Sequence, residues 1–131
     1  MNIKKQDLIK VYNFLNGASL VGAVSRARTK LNQSILAAFQ EFATDERTLI
    51  QDNGGTIDDK GHFDFGKENK AGAEKFYQEK SELYTEAVIF EETTKDQFNR
   101  LKTALESYDK ELSNQDAEAY DILLSELEEE K

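Results

Sequence analysis

The chain has 131 residues, 26 acidic and 17 basic side chains, a net charge of -9, one histidine, and no cysteine, proline or tryptophan. The lack of cysteine excludes disulfides and thiolate metal sites. No apolar run reaches the ~18 residues of a membrane span, and the first residues contain no continuous apolar stretch typical of a signal peptide. The length predicts a single domain over residues 1–131, and the composition predicts a cytoplasmic protein.

The charge is spread unevenly along the chain. Residues 1–51 carry seven basic and four acidic side chains, a net +3, whereas residues 52–131 carry ten basic and 22 acidic ones, a net -12. Such an asymmetry marks either a contact surface for a charged partner or two groups of helices that attract each other. The second interpretation is favoured because the antiparallel helices of a small bundle bring such halves together.

Apolar spacing predicts two helices in the first part of the chain. The first is a short amphipathic helix over residues 4–16. The second begins at Ser19 or Ser25 and runs to about Gln51, with an apolar stripe from Leu20 to Leu49. This long helix is the expected centre of the fold.

A polar stretch then interrupts the helical pattern. Gly54-Gly55 is a turn signal, and two short β-prone runs flank the segment Asp58-Asp59-Lys60-Gly61. These features predict a small β-hairpin near residues 55–66. Farther on, Val88-Ile89-Phe90 is a brief apolar run that either pairs with the hairpin as a third strand or continues the preceding helix into the core.

Helical spacing returns on both sides of that run. It predicts a helix over residues 67–87, a second one with a capping-box pattern at Thr94 and Gln97 that extends towards Leu112, and a last helix capped by Ser113. The sequence therefore predicts a mainly α fold, a helical bundle of about five helices around one long helix, with the β-hairpin as an insertion.

Nothing in the chain has the pattern of a catalytic or cofactor site. His62 lies in the predicted hairpin, whereas a Ser-His-Asp site needs its histidine held in a buried cleft. The acids of residues 58–64 resemble a calcium loop only in their density, and Gly54-Gly55 is not followed by the residues of a phosphate-binding loop. We expect no enzyme, no cofactor and no metal ion; a small hydrolase acting through His62 is the alternative.

Two charged clusters are the candidate partner-binding sites. Arg26 and Lys30 are one helical turn apart and share a face, so together they could hold a phosphate or an acidic partner surface. Arg28, which lies between them in sequence, is the third basic candidate. The alternative, which the net negative charge favours, is that they pair with the acidic C-terminal helices. Direct nucleic-acid binding is not expected.

The second cluster could present a DNA-like potential to a basic cleft. Its members are Asp109, Glu111, Asp116, Glu118 and Asp121. Basic residues interrupt the acids of this region, and composition alone favours an ordinary solvated surface.

The chain contains the segments DLIKVYNFL at residues 7–15, SRARTKL at residues 25–31 and ELSNQDAEAYD at residues 111–121. Together they resemble a small protein family encoded by phages and prophages of low-GC Gram-positive bacteria. That family has no assigned catalytic or binding residues, so the resemblance implies a setting and no site. It implies a phage product made in the cytoplasm of the bacterial host, where small acidic proteins often act by occupying a partner.

These observations favour a non-enzymatic phage or prophage protein that binds and inhibits a host macromolecule. The most specific version is an anti-CRISPR-like inhibitor of a nucleic-acid-handling defence effector, so the expected partner is a host or phage protein such as a nucleic-acid-binding nuclease, with no membrane involved. The alternative is a structural or assembly accessory protein of the virion that forms homo-oligomers through the long helix.

Overall fold

The computed structural model describes residues 1–130. They form two compact units, the first made of residues 1–39 and 87–130, the second of residues 40–86. In chain order the elements are β1 (Asn2–Lys4), a 3-10 turn (Lys5–Asp7), α1 (Leu8–Gly17), α2 (Gly22–Asp52), β2 (Thr56–Ile57), β3 (Phe63–Asp64), α3 (Lys70–Thr85), β4 (Ala87–Ile89), α4 (Gln97–Glu106) and α5 (Asn114–Glu129).

The predicted fold class is confirmed: the chain is mainly helical, with five α-helices in the described residues, one of them long, and a small hairpin at β2 and β3. The hairpin pairs Thr56 with Asp64 and Ile57 with Phe63 in antiparallel register. None of the helices described is both long and apolar enough to cross a membrane.

The first unit is built on amphipathic helices that bury one stripe each. In α1, Leu8, Val11 and Leu15 have no exposed surface. Helix α5 buries Leu123 and Leu127, four residues apart, and packs against both α1 and α4. Burial of each such leucine is worth about 1.5–3 kcal/mol, which is why helical spacing of apolar residues locates these elements.

The second unit has an aromatic core. Phe76 of α3 is fully buried, and the rings of Phe63 and Phe65 from the hairpin each lie 5.3 Å from its ring. At the start of α3, the Asn69 side chain accepts a hydrogen bond from the Gly72 N–H (3.1 Å) and donates one to the Asn53 carbonyl (2.8 Å). The contacts of the Phe63 and Phe65 rings with Phe76 therefore hold the hairpin against α3, and the Asn69 bonds fix the start of α3.

One β-sheet was not predicted. Strand β1 pairs with β4 in antiparallel register, with Ile3 opposite Val88. The run Val88-Ile89-Phe90 therefore neither joins the hairpin nor continues α3, and both alternatives for it are wrong. Its partner is the strand Asn2–Lys4, for which no strand is predicted; the first helix, predicted over residues 4–16, begins at Leu8.

Two helix ends also differ from the prediction. Helix α2 begins at Gly22, between the two expected caps, and Ser25 already donates its N–H to the Val21 carbonyl (3.4 Å). Helix α4 ends at Glu106, although helical spacing continues beyond it. The reason is that Tyr108 leaves the helix to place its ring 6.0 Å from the ring of Phe14.

Candidate functional site

The structure separates the three basic candidates. Arg26 is exposed and Lys30 is half-buried on the same side of α2, and neither forms an ion pair with residues 1–130. Arg28 instead donates from Nη1 to the carbonyls of Leu15 (2.8 Å) and Ala18 (3.1 Å) at the end of α1. Because the last carbonyls of a helix have no partner within it, Arg28 caps α1, which leaves its guanidinium less free than that of Arg26 to bind an external anion.

The acidic candidates all lie on the surface of the first unit. Asp109 and Glu111 belong to the segment between α4 and α5, Asp116 lies in the first turn of α5, and Glu118 and Asp121 follow along the same helix. All five are exposed. Acids in the first turn of a helix also interact favourably with its macrodipole, so Asp116 contributes to the stability of α5 as well.

One acidic candidate has an intramolecular partner. The Glu118 carboxylate accepts a hydrogen bond from Lys10 Nζ of α1 at 2.9 Å. This bond raises the pKa of Lys10 above its usual value; burial opposes the effect, and the charges of Glu118 and Asp7 add to it. The attraction between the basic first half and the acidic second half of the chain therefore operates here.

Other acids of the C-terminal region hold the N-terminus. The Glu126 carboxylate accepts from the Asn2 N–H at 2.7 Å, and Glu130 pairs with the ammonium group of Met1. That ammonium also donates to the Phe90 carbonyl at 3.1 Å. Two acids of the C-terminal region therefore contribute to holding the N-terminal strand in place.

Four acidic candidates remain without an ion pair to any residue of the described chain. We call them the acidic surface, and they are Asp109, Glu111, Asp116 and Asp121. Residues 106–130, which include them, carry ten carboxylates and one basic side chain, Lys110. The surface therefore keeps an excess of negative charge that the fold itself does not neutralise.

His62 lies on the surface of the second unit. Its side chain is 79% exposed, and Nδ1 is 3.4 Å from the Asp58 carboxylate. The same carboxylate accepts the N–H groups of Lys60 and His62, which closes the turn of the hairpin. In residues 1–130 no three His, Asp or Glu side chains are arranged to hold a metal ion.

Sequence reasoning missed a polar contact in the second unit. The hydroxyl of Tyr84 donates to the Glu46 carboxylate, and Lys80 Nζ lies 5.0 Å from the centre of the Tyr84 ring. Burial raises the pKa of Tyr84 above its usual value of 10.0, and the hydrogen bond and charge of Glu46 raise it further. Because 38 residues separate Tyr84 from Glu46, no local pattern could have predicted the contact.

The capping-box pattern of α4 is used differently from the prediction. Gln97 is buried and its side chain accepts from the Thr93 N–H (2.7 Å) while donating to the Ala27 carbonyl of α2 (3.0 Å). The Glu92 carboxylate accepts the N–H of Phe98 (3.1 Å) and caps the first turn. Gln97 therefore ties α4 to α2 within the first unit.

No protein-family model, curated protein sequence or solved structure matches this chain.

Proposed function

We propose that this chain is a non-enzymatic phage or prophage protein that binds and inhibits a host macromolecule in the bacterial cytoplasm. The specific target class is a basic, nucleic-acid-handling defence effector such as a CRISPR nuclease. The observation that supports the proposal is the acidic surface, four exposed carboxylates that pair with no other described residue.

Electrostatics explains why such a surface suits this class of partner. CRISPR nucleases hold nucleic acid in a positively charged channel. An array of carboxylates on a folded surface presents negative charge to that channel, steers association and disfavours acidic competitors. Asp116 and Asp121 lie on α5, and Asp109 and Glu111 lie in the segment that precedes it.

The alternative, virion assembly through the long helix, has less support. That alternative depended on the apolar stripe of α2, which is longer than a short neighbouring helix can cover. Ala27, Leu31 and Ile35 are at most 2% exposed, and Phe42 is buried as well. The other members of the stripe are half-buried, and they are Leu20, Val24, Ala38, Phe39 and Leu49. The chain's own residues therefore cover part of the stripe, which leaves less apolar surface for a second copy.

An inhibition assay tests the proposal with two matched variants. The test variant neutralises the acidic surface with Asp109→Asn, Glu111→Gln, Asp116→Asn and Asp121→Asn. The control variant neutralises four exposed acids of the second unit with Asp52→Asn, Asp59→Asn, Glu68→Gln and Glu74→Gln. Each variant removes four negative charges from the net -9, so a difference between them reports position and not total charge.

The assay measures DNA cleavage by purified, guide-loaded CRISPR nucleases of low-GC Gram-positive bacteria. We expect the unmodified chain and the control variant to inhibit cleavage. Exposed ion pairs contribute about 0.2–1 kcal/mol each, so the test variant should need about 4- to 1000-fold more protein for the same inhibition. Equal inhibition by the two variants, or none by the unmodified chain, would contradict the proposal.

A further inference from the structure

The small sheet of β1 and β4 has one edge that the chain does not cover. Met1 and Phe90 exchange two hydrogen bonds, N–H to carbonyl at 2.8 Å and ammonium to carbonyl at 3.1 Å. In an antiparallel ladder the next opposite pair does not exchange bonds, so the backbone groups of Asn2 and Ile89 point away from each other.

The outer edges of β1 and β4 differ in their contacts. On β1 the outward N–H of Asn2 donates to Glu126 of α5. On β4 the corresponding backbone groups of Ile89 have no partner among residues 1–130, and the Ile89 side chain is 72% exposed. An uncovered strand edge with an exposed branched apolar residue is a template for pairing with another extended chain.

A cavity of about 520 Å³ adjoins this edge. Ile89 and Phe90 contribute to its wall, and three carboxylates, Glu91, Glu92 and Glu130, line it together with one lysine side chain, Lys102. Glu130 already pairs with the ammonium of Met1 and Glu92 caps α4, whereas Glu91 forms no ion pair within residues 1–130. Lys102 forms no ion pair within residues 1–130 either. The lining holds three carboxylates against the ammonium groups of Lys102 and Met1, so it keeps a net negative charge beside a space large enough for a long side chain.

We propose that the free edge of β4 binds an extended, basic segment of the partner protein as an added strand. Backbone hydrogen bonds form with Ile89, apolar side chains of the segment cover its side chain, and a lysine or arginine enters the cavity towards Glu91. A second copy of this chain fits the edge less well, because two chains of net charge -9 repel each other. The biological role of this contact rests on the proposed function, but its chemistry does not.

Synthetic peptides test the edge without the partner. The probe is a peptide of alternating lysine and valine, compared with a glutamate–valine counterpart and with a lysine–valine peptide whose alternate amides are N-methylated. Binding is followed by NMR shifts and by amide hydrogen exchange. Of the three peptides, we expect only the unmethylated lysine–valine peptide to bind. Its binding should slow the exchange of the Ile89 amide by about tenfold or more.

Two substitutions locate the contact. Ile89→Pro removes the outward N–H without removing a bond to β1, and Ile89→Thr, which retains that N–H, is its control. Loss of one backbone hydrogen bond should weaken peptide binding about 2- to 10-fold in Ile89→Pro relative to Ile89→Thr. Glu91→Lys should weaken binding too, and Glu74→Lys, an exposed acid of the second unit, should not.

Three results would overturn the proposal. They are equal binding of the N-methylated or the acidic peptide, equal peptide affinity of Ile89→Pro and Ile89→Thr, and protection of the Ile89 amide that grows with protein concentration without peptide, which would identify a second copy as the occupant. The peptide assay does not involve a nuclease, so its failure leaves the proposed function standing. Conversely, absence of nuclease inhibition leaves a positive peptide result intact.

Discussion

Replacing Arg28 should separate a structural arginine from its exposed neighbour on the same helix. The Arg28 guanidinium donates to the carbonyls of Leu15 and Ala18 and to the hydroxyl of Ser25 (3.2 Å). Arg26 is exposed and makes no such bond. Arg28→Ala and Arg26→Ala therefore remove the same charge from the same turn of α2 with different structural consequences.

The expected magnitude follows from the bonds lost. A hydrogen bond from a charged donor contributes about 1.5–3 kcal/mol when it is removed from a buried setting, and Arg28 is half-buried. Allowing for solvent that replaces part of the interaction, Arg28→Ala should lower the free energy of unfolding by about 2–3 kcal/mol. For a chain of this length that corresponds to a decrease in Tm of roughly 6–12 °C. Arg26→Ala should change it by less than about 0.5 kcal/mol.

Urea unfolding followed by circular dichroism measures both variants. Arg28→Lys serves as a third variant, because one ammonium cannot reproduce the planar fork that spans two carbonyls, and its stability should lie between those of Arg28→Ala and the unmodified chain. If Arg28→Ala and Arg26→Ala lose the same stability to within about 0.5 kcal/mol, the assignment of Arg28 as the cap of α1 is refuted.

Three further predictions concern single contacts. In Gly72→Ala the new Cβ would clash with the Asn53 carbonyl oxygen, so despite the better helix propensity of alanine we expect a loss of about 1–3 kcal/mol in urea unfolding, and a gain would contradict this. The raised pKa of Tyr84 favours the neutral phenol in the folded state, so its contribution is complete below pH 10.0 and is lost as the pH rises above it. Between about pH 8 and pH 11 the unmodified chain should therefore lose more stability than Tyr84→Phe, and parallel curves would exclude this role. Glu118→Gln should shift the pKa of Lys10 downwards in an NMR titration and cost about 0.5 kcal/mol, whereas an unchanged Lys10 titration would show that the ion pair does not form in solution.

Helical spacing predicted the helices because burial of one face is a local property of the sequence. Leu123 and Leu127 of α5 illustrate this: their spacing alone identifies the buried side. The hairpin was equally predictable, since its turn residues and both strands lie within eleven consecutive positions, 55–65. In both cases the interacting residues are close in sequence.

The remaining features depend on residues distant in sequence. Strand β1 is only three residues long and pairs with β4 more than 80 positions away, so no local pattern identifies it as a strand. Tyr108 continues the apolar spacing of α4 but leaves the helix for a contact with Phe14. In each case a tertiary contact overrides the local pattern.

The candidate site was only partly predictable from the sequence, for the same reason. The exposure of Asp109, Glu111, Asp116 and Asp121 followed from their charge, but the ion pair that engages Glu118 depends on the packing of α1 against α5. Helical spacing places Arg26 and Lys30 on one face, which follows from the sequence alone. Only the fold reveals that Arg28 contacts the end of α1, because that contact depends on how α1 and α2 pack.

Competition for the nucleic-acid channel is the most direct test of the central claim that the acidic surface occupies a basic, nucleic-acid-handling partner. The measurement is the affinity of a guide-loaded CRISPR nuclease for its target DNA at increasing concentrations of this chain. The account predicts that the observed Kd for DNA rises in proportion to the concentration of the chain, that added salt weakens the competition, and that the variant lacking the acidic surface competes less than its matched control. A DNA affinity that stays constant at saturating protein, or competition that is equal for the two variants, would contradict it.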